Sequence, residues 1–310
     1  MIILKKLSLK DQGELYYVLS NSIKPKLFVK PGETFIIETE DAFSGQIRKE
    51  GDRRDLKKIP YSNPVSGPIF IDGATSNDTL IVEIKDIKPL IGQGATRIPD
   101  LSFYFSNIPL SKFLSLEIPH GTKICPIKDG KVFFDKFVLP YNPMIGTIGV
   151  APKIESISSN SVGSHGGNLD LLEITIDSKI FFPIYNEGAL LFIGDVHAIQ
   201  GEGELCGTAI EMPAEVTLKV DLIKNYKIDW PRIETSEEIG VISVTGVNKN
   251  LEDAIKTAFI ELILWLEEKY GIDRWDAYQL CTQIARVSLG NFWSIIAKFP
   301  KKMLESLSMK

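Results

Sequence analysis

Cysteine is scarce in this 310-residue chain, and the three present (Cys125, Cys206 and Cys281) lie far apart. An odd number of thiols cannot form a complete internal disulfide set, so a disulfide scaffold is excluded and a reducing, cytoplasmic setting is expected. No apolar run approaches the ~20 residues of a membrane span. The N-terminal stretch "MIILKKLSLKDQGELYY" is apolar over too short a run for a signal peptide. No basic block occurs and the net charge is −5, which removes the electrostatic footprint of a nucleic-acid partner. Neither a "GxSxG" motif nor the Gly/Ser-rich signature of Ser–Ser–Lys amidases is found. Histidine is rare as well. Only His120, His165 and His197 occur, so the surroundings of each are informative.

The chain is rich in short β-type runs. "GETFIIETEDAFSGQI", "GPIFIDG", "DTLIVEIKDIKPL", "KVFFDKFVLP", "GALLFIGDVHAI" and "AEVTLKVDLIK" carry Ile, Val, Phe and Thr between Gly, Pro, Asn or Asp. In the last run Val216, Leu218, Val220 and Leu222 alternate with Thr217, Lys219 and Asp221, the pattern of a half-buried antiparallel strand. Many such strands predict a mainly β fold, with a sandwich or jelly-roll body over residues 1–230. Beyond Pro231 the period changes. Leu251, Ala254, Ile255, Ala258, Phe259, Leu262, Ile263 and Leu266 form one helical stripe, with Asn250 as N-cap and Gly271 as stop. Asp273 caps a second predicted helix, so residues 231–310 read as a small α/β subdomain.

One stretch stands out chemically: "IGDVHAIQGEGELCGTAIE", residues 193–211. Period-two alternation puts Leu191, Ile193, Asp195 and His197 on one face of a strand. The turn "QGEGE", with Gly201 and Gly203, returns Glu202 or Glu204 towards them, and Glu211 follows. A histidine among several carboxylates suits metal ligation or acid–base catalysis. A second cluster, "SVGSHGGNLDLLEI", holds His165, Asn168 and Asp170, while Asp41 ends a strand in "ETEDAFSGQI". His120, in "EIPHGTKI", looks like a turn residue.

Several of these segments, in this order, resemble the acetamidase/formamidase family: "DAFSGQI", "NPVSGPIFIDGATSNDTLIVEI", "IGTIGVAP", "SHGGNLD", "GDVHAIQGEGELCGTAIE" and "YGIDRWDAYQLCTQIA". The resemblance covers most of the chain. It implies hydrolysis of small amides to a carboxylic acid and ammonia with a divalent metal, a jelly-roll-like body and a homodimer or larger homo-oligomer. The broadly apolar "AFIELILWLEEKY" agrees with the last point. Departures fall at Ala42 and Ser44, where the family often has Cys or Gly, at Ser164 in place of proline, and in the tail after Arg286.

Amide hydrolysis needs an activated nucleophile, an electrophile for the oxyanion and a proton donor for the amine. A metal held by imidazole and carboxylate supplies the first two. The expected metal residues are Asp41, His165, Asp170, Asp195 and His197, with Zn²⁺ favoured. The oxygen-rich neighbourhood of Glu202, Glu204 and Glu211 leaves Ca²⁺ open. Glu202 or Glu211 is expected as general base, with Asp195 as a further catalytic candidate. Two alternatives remain: a Cys206 nucleophile, which the surrounding carboxylates disfavour, and a non-catalytic β-sandwich binding module stabilised by Ca²⁺.

Overall fold

The computed structural model describes residues 4–98, 121–245 and 250–305. His120 lies outside the described residues. Two large sheets form the body. The first has nine strands, with Thr34–Thr39, Ala214–Ile223, Thr79–Pro89 and Lys179–Pro183 adjacent in that order. The second has eleven, with Leu191–His197 flanked by Met144–Val150, Val65–Ile71 and Glu211–Met212. One core cluster draws on both. Phe35, Leu80, Val82 and Val216 come from the first sheet, and Ile69, Ile145, Ile193 and Val196 from the second. That is the packing of a β-sandwich, as the strand patterns predict.

The alternation read from "EVTLKVDLI" holds. Val216, Leu218 and Val220 are fully buried, and Leu222 packs against the same core from its edge. "KVFFDKFVLP" is not one strand but a hairpin of Lys131–Phe134 with Phe137–Pro140. Asp135 takes a left-handed φ of 50° at its turn, which this residue type tolerates better than most.

Arg232–Glu234, Glu238–Val244, Ser294–Pro300 and Arg286–Leu289 extend the nine-stranded sheet beyond Lys179–Pro183, so strands from both sides of position 230 share it. The helix Leu251–Tyr270 covers this extension, with Ala258, Leu262, Trp265 and Leu266 packed on Ile239, Val241, Ala297 and Phe299. Its ends are those predicted. Asn250 accepts from the Asp253 N–H at 2.9 Å, a cap worth about 1 kcal/mol, and Gly271 closes the helix in the left-handed region. Asp273 caps the helix Arg274–Ile284 in the same way. The apolar face of the long helix is therefore mostly spent within the chain. Of the two helices, it is the second that carries exposed aromatic residues, Trp275 and Tyr278. Among the described residues no helix is long and apolar enough to cross a membrane.

Candidate functional site

His197 and Glu211 are directly opposed across two antiparallel strands, so their side chains share a face. Asp195 joins them by an irregularity rather than by alternation. Its φ is +55°, and this left-handed residue switches the phase of the strand: Val196 and Ala198 enter the core alongside Leu191 and Ile193. Strict period two would have placed Asp195 and His197 in that core, on the face of Ile193. Asp170 enters from the turn after Gly166–Asn168, held by its N–H to the Gly146 carbonyl at 3.1 Å. Asp170 and Glu204 also have left-handed φ, 48° and 42°. Three acidic residues in a sparsely populated conformation at one place make this a candidate functional site.

The atoms converge closely. His197 Nε2 lies 3.1 Å from Glu211 Oε2, 3.3 Å from Asp195 Oδ1 and 4.0 Å from Asp170 Oδ1. Ligands held at 2.0–2.1 Å by a tetrahedral ion lie about 3.4 Å from one another. Glu204 completes a second trio with His197 and Glu211. His197, Asp170, Asp195 and Glu211 are all buried. Despite the short separations, His197 Nε2, Asp170 Oδ1 and Glu211 Oε2 find no partner in hydrogen-bonding geometry. Orphaned buried atoms are costly, and two carboxylate oxygens beside an orphaned His197 Nε2, at 3.1 and 4.0 Å, fit a cation.

The other atom of each group is occupied. His197 Nδ1 meets Gln200 Oε1 at 2.9 Å, while Gln200 Nε2 donates to the carbonyl of Asp170 at 2.6 Å, which fixes the amide's orientation. Nδ1 therefore carries a proton, which leaves Nε2 as the ring nitrogen available to a cation at the centre. Asp195 Oδ2 accepts from Asn63 Nδ2 at 2.7 Å and Asp170 Oδ2 from Asn168 and Asn291, both at 2.7 Å. Glu211 Oε1 accepts from the Ala209 N–H at 2.9 Å.

The electrostatics agree. Burial raises the pKa of Asp170, Glu204 and Glu211, and neighbouring acids raise each further. Burial opposes a charge on His197, yet Glu211 and Asp195 outweigh it and lift its pKa well above the usual value. A site so short of positive charge is relieved by a cation. The residues present fit a divalent ion held by one imidazole and several carboxylates.

Asp41 and His165 stand apart from this cluster. Asp41 Oδ1 accepts from the Phe43 and Gly45 N–H groups at 2.9 and 3.0 Å, and Oδ2 pairs with Arg48. That carboxylate holds its own turn. The carbonyl of His165 accepts from Val150, whereas His197 pairs with Met144 at the other end of the same strand. At ~3.3 Å per residue the two backbones are roughly 20 Å apart, too far for one ion held at ~2 Å by each ring. Burial lowers the His165 pKa to about 4, so it is a neutral buried imidazole. Glu202 is exposed on the turn, and Glu204 takes the inward place because Gly203, at φ +83°, is pinned to the Gly290 carbonyl at 2.9 Å. Cys206 is exposed, its Sγ against the Thr208 carbonyl at 3.2 Å.

Gly146 makes the convergence possible. A Cβ there would lie 2.5 Å from Asp170 Oδ1 and 2.7 Å from Asp195 Oδ2. We expect Gly146→Ala to cost about 1–3 kcal/mol in thermal unfolding, the usual range for overpacking, and to weaken metal binding in a direct titration. Unchanged stability with unchanged binding would show that the two aspartates have room to move.

A family model described as the Acetamidase/Formamidase family matches residues 8–162 and 158–290. An acetamidase from Mycolicibacterium smegmatis is 28% identical over 255 residues, 63% of this chain and 63% of that protein. A formamidase from Methylophilus methylotrophus is 25% identical over 249 residues, 64% of this chain and 61% of that protein. The chain thus matches less than two thirds of the length of these curated relatives. Among solved structures, an acetamidase from Yersinia enterocolitica superposes with a TM-score of 0.88 at 37% identity, covering 97% of this chain and 93% of that one. An acetamidase from Bacillus halodurans gives 0.85 at 29% identity, covering 97% and 99%.

Proposed function

The chain belongs to the acetamidase/formamidase family, and from that premise we propose that it hydrolyses small linear amides to a carboxylate and ammonia at a metal centre. The observation that carries this is His197 Nε2, buried and without a hydrogen-bond partner, with two equally unpartnered carboxylate oxygens beside it, Glu211 Oε2 at 3.1 Å and Asp170 Oδ1 at 4.0 Å. We assign His197, Asp195, Glu211 and Asp170 as the residues that hold the ion. Zn²⁺ is preferred for the imidazole and the near-tetrahedral spacing. The number of carboxylates keeps Ca²⁺ as an outcome of metal analysis. A divalent ion there supplies positive charge that polarises an amide carbonyl and acidifies water.

Glu204 is the proposed general base. Its carboxylate lines the cavity above the cluster and, among the described residues, accepts no hydrogen bond that would tie it down, whereas Glu211 is fixed by the Ala209 N–H. Glu204 takes one proton of the attacking water and returns it to the departing nitrogen, so the products are ammonia and a carboxylic acid, which then ionises to the carboxylate. Gln200 holds the His197 tautomer, while Asn63, Asn168 and Asn291 hold the aspartates in place.

The test is ammonia release from formamide, acetamide and longer straight-chain amides, with metal analysis of the same sample. Metal without turnover of any amide would favour a binding module. Turnover that survives chelation and is abolished by Cys206→Ser would favour the thiol. A homo-oligomer and a cytoplasmic setting belong to the same proposal, supported by exposed Trp275 and Tyr278 and by three free thiols. Light scattering at micromolar concentration is expected to give a dimer or larger, and a monomer would overturn that part.

A further inference from the structure

Above the carboxylate cluster lies a cavity of about 710 Å³, roomier than a one- or two-carbon amide requires. Asp195, Glu204 and Glu211 line it on the cluster side, and two guanidinium groups, Arg54 and Arg97, line it as well. Arg97 sits two residues beyond Ala95, which pairs with Glu211 across antiparallel strands. It therefore projects on the face of Glu211, with backbones separated by roughly 7–8 Å along the diagonal. Its guanidinium carbon lies 5.9 Å from the centre of the Phe43 ring, which also lines the cavity. Arg54 is anchored by one Nη2 bond to the Tyr61 carbonyl.

Neither arginine meets a carboxylate among the described residues. The nearby acids Glu40 and Asp41 are taken by Arg48 instead. Both Nε atoms are buried without a partner. Burial, and then the charge of Arg97, press the Arg54 pKa down, so the two cations feel each other. Two guanidinium groups that line one cavity and meet no carboxylate among the described residues are the donor arrangement that recognises a planar anion.

We propose that Arg54 and Arg97 form an anion-holding subsite and that the preferred substrate is an amide bearing a carboxylate a few carbons from its carbonyl. This rests on the amide-hydrolase reading above. A neutral formamide or acetamide leaves both guanidinium groups unmet. A monoamide of a dicarboxylic acid satisfies them while its amide lies against the cluster.

The experiment compares kcat/KM for succinamate and glutaramate with that for the neutral butyramide and pentanamide, in the wild type and in Arg54→Gln and Arg97→Gln. The wild type is expected to favour the anionic amides by roughly 10- to 100-fold, the worth of a charge-assisted hydrogen bond, and each substitution to remove most of that ratio. Arg97→Lys, which keeps charge without the fork, should restore part of it. Equal or better turnover of neutral amides by the wild type overturns the inference and leaves amide hydrolysis standing. If no amide is turned over, the hydrolase reading fails, and calorimetric binding of glutarate decides the subsite alone. Binding that the Arg→Gln variants weaken supports it, and absent or unaffected binding overturns it.

Discussion

His197→Ala is expected to strip the metal and reduce amide hydrolysis by roughly 10⁴-fold or more. The loss combines an oxyanion stabiliser, worth ~10²–10³, with a general-base step worth ~10²–10⁴ that no longer has an acidified water to act on. The same substitution removes the imidazole that meets Glu211 at 3.1 Å and Asp195 at 3.3 Å. Breaking such a buried cluster costs about 3–5 kcal/mol, so part of the sample is expected to unfold. Gln200→Ala separates the two effects. It leaves every proposed ligand in place but frees the ring that Gln200 Oε1 holds at 2.9 Å. Metal affinity is then expected to fall about 10- to 100-fold, the usual worth of such a positioning contact, with folding retained. A Gln200→Ala protein with full affinity would show that the ring needs no such support.

Glu204→Gln is expected to behave in the opposite way. The carboxamide has nearly the shape of the carboxyl, and Glu204 is not among the four residues assigned to the ion. Metal content should stay near the wild-type value while the rate falls by ~10²–10⁴. Glu211→Gln should lose metal and rate together, because its Oε2 faces His197 Nε2 and its Oε1 is fixed by Ala209. The assignment rests on this split. If Glu204→Gln loses the metal while Glu211→Gln keeps it, the two glutamates exchange roles. Glu202→Gln should leave both readouts alone, since that side chain points to solvent.

Much of the site was legible because it is nearly contiguous in sequence. Asp195, His197 and Glu211 belong to one quoted stretch, and two paired strands carry them to one place. The helix caps were legible for a similar reason: Asn250, Gly271 and Asp273 act within a few residues of themselves. What depends on register was not. Both His165 and His197 sit in Gly- and acid-rich segments, and only their pairing with Met144–Val150 reveals that they lie beside opposite ends of that strand. The choice of Glu204 over Glu202 turns on the parity of a turn pinned at Gly203 to a distant carbonyl, that of Gly290. The phase switch at Asp195 is a backbone feature that alternation cannot foresee. Gly146 gave no signal in sequence, because its importance is the absence of a Cβ between two aspartates. Asn63 and Asn291 reach those aspartates from segments with no motif of their own, and Arg54 and Arg97 carry no periodicity that would single them out.

The central claim is that the cluster of Asp170, Asp195, His197 and Glu211 is a metal centre on which amide hydrolysis depends. Its most direct test is to deplete the protein of metal with a chelator and titrate Zn²⁺ back, following ammonia release from whichever amide the untreated protein hydrolyses fastest. The account predicts negligible turnover in the depleted protein and recovery in proportion to added ion, levelling off once every cluster is filled. Full turnover by demonstrably metal-free protein would contradict it.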